Sequence, residues 1–362
     1  MRIRLEKRRE ISRLMLVLSP IGAVIATMIV GAVIFEALGY DGPRAVSDIF
    51  FTPVLATYKW QDVAAKAAPL ILIALGLAVC FQAKVWNIGA EGQYLLGALG
   101  GAGVAMLTQN MHGWWIVPLM IAAGMAAGAL WAAPVAWLRN RYGVNEILSS
   151  LMLVYVAVQV LGYFVTGPWK DPHGHNFPQT APFTADQMLP ANLFGLPFPP
   201  GLYVAFALAL GFWLVMARSE YGLGVRVVGE APKAARYAGY RASDTVWSTL
   251  LISGAMSGLA GVLEATTLSG QLNLGFPSGY GFTAIIVSFL GRLHPIGIVL
   301  AGIVLAISYV GGQVAQTTVH VPSATAGIFQ AMMLFFILAS DVLVRRRIRI
   351  EWGAPKTAAA RA

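Results

Sequence analysis

The sequence predicts an all-α polytopic membrane protein of about ten transmembrane helices in two inverted five-helix repeats, and three observations lead there. Of the 362 residues 57% are hydrophobic and only 11% charged. Mean hydropathy is +0.69, and apolar runs of membrane-spanning length recur along the whole chain. The cations are distributed asymmetrically. With the amino terminus inside, only Arg44, Lys59, Lys66 and Lys170 of the 25 Lys and Arg fall outside, as the positive-inside bias requires. That placement accounts for the net charge of +9 without nucleic acid and sets both termini on the cytoplasmic side.

Residues 1–13 form a basic, cytoplasmic amino terminus. The apolar run after it is about 25 residues long, too long for a signal-peptide core, and reads as an anchor. The crossings follow as Leu14–Gly39, Ala67–Gln82, Gln93–Gln109, Trp114–Leu138, Glu146–Thr166, Gly201–Ala217, Asp244–Thr266, Tyr280–Gly291, Pro295–Gly312 and Ala324–Val344. A basic cytoplasmic tail, 345–362, closes the membrane region 14–344. Tyr280–Gly291 is short for a span of roughly 20 residues. Making it re-entrant would put Arg345, Arg346 and Arg347 outside, so it is read as a crossing. Gln271–Gly279, with Asn273 in it, is expected to enter the membrane as irregular backbone, which is tolerated only against protein or a wet cavity.

Two outer segments stand apart. Residues 43–66 carry Phe50, Phe51, Tyr58 and Trp60 and read as an interfacial segment. Residues 167–200 form a Pro-rich loop with little periodicity, suited to a lid or docking surface. His173 and His175 in that loop make an HxH pair without further ligands, so no metal site is expected. Cys80 is the sole cysteine and excludes an intramolecular disulfide.

Residues 218–243 form a polar island between two apolar runs, with Arg218, Arg226, Lys233, Arg236 and Arg241 against Glu220 and Glu230. A short helix is expected there, Pro232 in its first turn and Gly239 closing it in the left-handed conformation. A loop that only connects two helices needs less structure, so this one reads as a grip for another protein.

Crossings two to five and seven to ten share a layout: a helix, a Gly-rich break, a short helix and two longer ones. Asn87–Tyr94 occupies in the first set the place of Gly275–Phe282 in the second. An odd number of crossings separates corresponding helices, so the sets run oppositely, as in transporters whose breaks lie near the substrate path. Asn87, Glu91 and Gln93 at the first break have two readings, lining of a translocation path or helix-start groups satisfying exposed amides. Glu264, about one turn from the outer end of its helix, and Asn273 at the second break join them as path candidates. Glu36 reads as a headgroup-level carboxylate. Asn145 and Glu146 read as a helix cap with a favourable anion. The Gly/Ala-rich runs read as close helix packing. The absence of any Gly-Lys dipeptide excludes a phosphate loop on this chain.

Phe81-Gln-Ala-Lys-Val-Trp-Asn-Ile-Gly-Ala-Glu-Gly-Gln, Gly143-Val-Asn-Glu-Ile-Leu-Ser-Ser-Leu-Met-Leu, Gly229-Glu-Ala-Pro-Lys-Ala-Ala-Arg-Tyr-Ala-Gly and Gly279-Tyr-Gly-Phe-Thr-Ala-Ile-Ile-Val-Ser-Phe-Leu-Gly-Arg, in this order, resemble the ABC importer permeases for nucleosides and simple sugars, the branched-chain amino acid/ribose-like family. The resemblance covers about Ala67 to Val344. It implies that Pro232–Gly239 is the coupling helix, with Ala234, Ala235, Tyr237 and Gly239 packing on an ABC ATPase and Lys233 and Arg236 pairing with acidic groups on it. It also implies ATP and Mg on that separate ATPase, none on this chain. A second permease, identical or different, an extracytoplasmic substrate-binding protein, surrounding lipid and a bacterial cytoplasmic (inner) membrane location follow as well. Gly167-Pro-Trp-Lys-Asp-Pro and Pro178-Gln-Thr resemble the larger permease of nucleoside pairs. Val154 stands where relatives often carry Asn. The expected function is nucleoside import without chemistry on this chain; a ribose-like sugar permease and an ion-coupled secondary transporter are the alternatives.

Overall fold

A computed structural model describes residues 2–7, 13–174, 177–190, 195, 197–322 and 324–351. His175 and residues 352–362 of the expected tail lie outside the described residues. The chain is helical almost throughout. In order it forms α1 (Arg13–Ala37), α2 (Gly42–Phe50), α3 (Thr52–Leu55), α4 (Trp60–Gln82), α5 (Ala90–Leu107), α6 (Ile116–Tyr142) and α7 (Glu146–Thr166). Then come α8 (Pro200–Arg218), α9 (Glu220–Glu230), α10 (Pro232–Tyr237), α11 (Ala242–Glu264), α12 (Tyr280–Leu290), α13 (Pro295–Thr318) and α14 (Thr325–Arg345). Two strands were not anticipated by an all-α reading. β1 (Arg2–Lys7) and β2 (Arg346–Glu351) pair antiparallel, Arg2 opposite Glu351 and Lys7 opposite Arg346, so the first and last described segments meet.

Among the described residues seven helices are long and apolar enough to cross a membrane: α1, α4, α6, α7, α8, α11 and α13. The other three expected crossings fall on α5, α12 and α14. α12 is an apolar helix of 11 residues, short for a span, and α5 has 18 residues with Glu91 and Gln93 in its first turn; both start directly after interruptions of the chain.

α4 is the axis of the molecule. Its run Ala67–Phe81 is buried throughout, and α11, α13, α12 and α8 pack around it. α11 in turn packs against α6 and α5. Apolar side chains carry no net preference for each other over lipid, so close packing depends on small residues. At the α5–α6–α11 junction Gly97, Gly124, Gly128, Gly254 and Gly258 bring backbones into direct contact; a methyl at Gly258 would overlap the Gly124 carbonyl oxygen.

Residues 43–66 fold as α2, α3, a 3₁₀ turn and the start of α4. α2 buries Ala45, Val46, Ile49 and Phe50 and packs on α13 and α1, so α2 is part of the helical body, whereas Phe51, Leu55 and Tyr58 after it are exposed. The Pro-rich loop is laced onto the turn after α11: Leu189 N–H donates to the Thr266 carbonyl, Phe183 N–H to Gly270 and Thr180 N–H to Leu272.

Gly258→Val should lower the stability of the purified protein by about 1–3 kcal/mol through overpacking against backbone. Thermal unfolding in detergent reads this directly, with Gly211→Val as control, because Gly211 has open space around it.

Candidate translocation core and coupling surface

The first interruption runs from Ala83 to Gly89. It opens with Lys84 in the left-handed conformation (φ 58°), and its freed backbone groups are met by side chains. Ile88 N–H donates to Ser150 Oγ (3.1 Å), Trp86 N–H to Glu146 Oε1 (3.3 Å) and Gly89 N–H to Asn87 Oδ1 (3.0 Å). Asn87 is wholly buried. Its amide pairs reciprocally with that of Gln93, Nδ2 to Oε1 at 2.9 Å and Nε2 to Oδ1 at 3.2 Å, and also donates to Ser253 Oγ at 3.0 Å. Both amides are thus engaged by the protein itself, which is how buried amides avoid a desolvation penalty.

The second interruption lies between α11 and α12. α11 continues as one π-helical turn, Ala265–Ser269, ended by Gly270 in the left-handed region. Asn273 is exposed there, its Oδ1 accepting from Gly275 N–H at 2.9 Å. Gly279, also left-handed, starts α12. The first turn of any helix leaves amides without intrahelical partners, and here they turn to the other interruption. Gly279 N–H donates to Glu91 Oε1 (2.9 Å) and Gly281 N–H to Glu91 Oε2 (2.6 Å). Glu91 is 2% exposed. A side chain at Gly281 would overlap the Glu91 backbone, so the starts of α5 and α12 touch directly.

An aromatic and charged layer adjoins this contact. Tyr94 stacks on Phe276 (centroids 5.4 Å apart, planes 15°) and meets Tyr280 edge-on at 5.8 Å. Tyr280 OH donates to Glu264 Oε1 at 3.5 Å, Lys66 Nζ lies 3.4 Å from the same oxygen, and the lysine sits 5.4 Å over the Tyr280 ring. Tyr309 OH donates to the Ser278 carbonyl (2.9 Å), and Thr283 Oγ1 to Gln330 Oε1 (2.9 Å).

Four path candidates, Asn87, Glu91, Gln93 and Glu264, therefore lie in one buried polar seam, while Asn273 stands outside it. Sequence reasoning did not assign Lys66, Tyr94, Ser253 or Tyr280 to it. Lys66 alone carried a signal, a cation within an apolar helix. Val154 is buried against Gly92. Asn145 caps α7 through Ile147 N–H (2.9 Å). Glu146 also bonds Arg139 Nη1 (2.6 Å), tying the α6–α7 turn to the first interruption. Glu36 accepts from Gly42 N–H at 3.0 Å.

The polar island lies against the start of the first interruption, where Gly229 meets Gln82 and Ala83. It holds a helix the sequence did not announce, α9, capped by Ser219 Oγ through Gly222 N–H at 3.1 Å and followed by α10. In α10 Ala235 is buried against its own chain, whereas Tyr237 is 94% exposed. Pro232, Lys233, Ala234, Arg236 and Gly239 are exposed too, and Gly239 has φ 87° with nothing close by. Ala235 thus points inward, and the exposed surface of α10 is made by the rest of this set, with Tyr237 foremost. A groove of about 510 Å³ lies alongside, lined among others by Glu220, Tyr221, Tyr240, Arg241 and Asp244. α9 packs hard on α4: a side chain at Gly229 would overlap the Gln82 carbonyl.

Broken helices meeting in a buried polar seam, with a structured polar island at one end of the axis, define a multi-pass membrane transport protein. The family follows from residues 60–338, which match the branched-chain amino acid transport system permease component, and the chain belongs to that family. It is 35% identical over 360 residues to the glucose ABC transporter permease protein of Haloferax volcanii, covering 97% of this chain and 94% of the relative. Over 340 residues it is 28% identical to the guanosine ABC transporter permease protein of Bacillus subtilis, covering 91% and 95%. Over 359 residues it is 25% identical to the probable riboflavin import permease protein of Treponema pallidum, covering 95% and 88%. No solved structure matches the chain. The chain is an ABC transporter permease, a non-enzymatic membrane component that works with a separate ATPase and a substrate-binding protein.

The Lys66–Glu264 contact is half of a double-mutant test. Lys66→Met alone strands a buried carboxylate and should destabilise more than Lys66→Met combined with Glu264→Leu, with a coupling of about 1–3 kcal/mol. Thermal melting of the four proteins in detergent measures it.

Proposed function

We propose that the chain imports nucleosides across the bacterial cytoplasmic membrane, by alternating access driven from an ATPase gripping α10. Support for the substrate comes from the full-length similarity to the guanosine permease and to a Lactococcus lactis nucleoside permease, 25% identical over 341 residues. A sugar is the second reading, favoured by the higher identity to the glucose permease.

Ten crossings in two inverted halves fit the packing. α4 contacts α12 and α13, and α11 contacts α5 and α6, the reciprocal pattern expected when each half lends its first helix to the other's second and third. The β1–β2 pair keeps Arg2–Lys7 and Arg346–Glu351 together, and the cation bias supports a cytoplasmic position for both. The same bias puts α10 on the ATPase side and the Pro-rich loop on the side of the binding protein. A second permease, identical or different, completes the membrane unit. ATP and Mg are held by the ATPase. Substrate passes along the seam between the halves, near Glu264 and the breaks at Asn87–Gln93 and Asn273.

Uptake of labelled adenosine, ribose and glucose in cells with and without the gene tests the substrate. Loss of adenosine uptake alone is expected; loss of a sugar alone moves the protein to the second reading. Tyr237→Ala should cut ATP-driven uptake about tenfold or more, as loss of an exposed aromatic anchor does at interfaces, while membrane insertion is unchanged. Uptake and ATPase stimulation should fall together, because the ATPase is no longer gripped.

A further inference from the structure

We propose that Glu91 is a bolt that carries the motion of the ATPase-facing surface into α12, making the two broken helices move as one body. This rests on α10 being the ATPase contact. A continuous chain of contacts, part backbone and part side chain, leads from that surface to Glu91. α10 continues α9, and Tyr240, just after α10, packs on Gly224 of α9. Gly229 of α9 lies directly on the Gln82 carbonyl and Ala83 at the end of α4. From there the interruption Lys84–Gly89 is held rigid: Trp86 N–H by Glu146, Ile88 N–H by Ser150, and the Asn87 amide by Gln93 and Ser253. α5 begins at Ala90, so any shift of the interruption displaces Glu91 with it.

At Glu91 the chain of contacts leaves its own half. A carboxylate in the first turn of a helix ordinarily serves that helix's own amides. Here both oxygens reach instead to a helix 188 residues away, one to Gly279 N–H and one to Gly281 N–H. Gly281 permits backbone-to-backbone contact at the same point, so α12 cannot slide on α5 without breaking both bonds or colliding. Beyond it, Tyr280 and its partners Glu264, Lys66 and Tyr94 lie in the seam. Glu91 acts through α12 and is a positioning residue: at 2% exposure it offers no surface to a passing solute.

The chemistry of the two acceptors gives the test. Gln has the same shape but only one acceptor oxygen, and its amide nitrogen would face a backbone N–H. Asp keeps both oxygens and the charge but is one methylene shorter. In the complete transporter, reconstituted with ATPase, partner permease and binding protein, Glu91→Gln should lower the maximal uptake rate about tenfold or more. Substrate-stimulated ATP hydrolysis should stay within about twofold, and Glu91→Asp should restore part of the uptake. Normal uptake in Glu91→Gln overturns the proposal, and so does a joint loss of uptake and ATPase stimulation in an assembled complex. Failure at α10 gives that joint loss with Tyr237→Ala, so the two ideas fail separately. Should Glu91→Gln not assemble, hydrogen exchange on the unaltered complex decides. The Phe276–Phe282 peptide should stay protected both without nucleotide and in the ATP–vanadate trapped state. Loss of protection in either state overturns the bolt.

Discussion

A backbone amide without a partner inside a membrane costs several kcal/mol, and this chain interrupts two helices within its buried body. Everything distinctive about its interior follows from how those amides are met. At the first interruption three N–H groups are taken by Glu146, Ser150 and Asn87. At the second, the start of α12 is taken by the carboxylate of the first. A charged acceptor is the strongest choice for two amides at a helix start, where the local dipole also favours negative charge. The same acceptor could have been supplied from α12's own flank. Supplying it from α5 makes the stability of one break conditional on the position of the other.

Small residues complete that arrangement. Gly281 lets α12 meet α5, Gly229 lets α9 meet α4, and the glycines at the α5–α6–α11 junction let three helices meet backbone to backbone. Such contacts resist sliding, because the nearest neighbour of Gly97, Gly128, Gly254, Gly258, Gly229 and Gly281 is a main chain and not a side chain that can change rotamer. On the proposal made for Glu91, a transporter assembled this way moves its helices as coupled groups. The peripheral surfaces of α7 and α8 instead carry exposed apolar side chains such as Leu148, Tyr155, Tyr163 and Leu214.

Local features were legible in the sequence because their causes are local. Composition and cation placement fixed the class. Pro232 and Gly239 announced α10, and Gly239 does adopt the left-handed conformation. Asn145 before Glu146 announced a cap, which is present. The shortness of Tyr280–Gly291 marked α12. Long-range pairings were not legible: Lys66 and Glu264 are 198 residues apart, and nothing in either neighbourhood names the other. The direction of Ala235 was missed for a related reason. A six-residue helix has too few positions for periodicity to define a buried face, so a small residue at its centre suited an outward surface as well as an inward one. α9 was missed because three glycines in eleven residues, Gly222, Gly224 and Gly229, read as loop, whereas two of them serve close contacts with Tyr240 and Gln82.

The polar seam also bears on what the path between the halves can be. Asn87 and Gln93 spend their amides on each other and on Ser253, and Glu91 spends both oxygens on α12, so in this conformation none is available to a solute. The Glu264 group differs. Its bonds to Lys66 and Tyr280 are long, 3.4 and 3.5 Å, and the Lys66 side chain keeps 26% exposure. Exchange of a long, partly solvated contact for a ligand hydroxyl costs far less than breaking a buried amide pair. On the proposed function those distances imply a division of labour: the groups around the first interruption hold the breaks in place, and the groups around Glu264, with their longer bonds, are the ones to meet a polar solute.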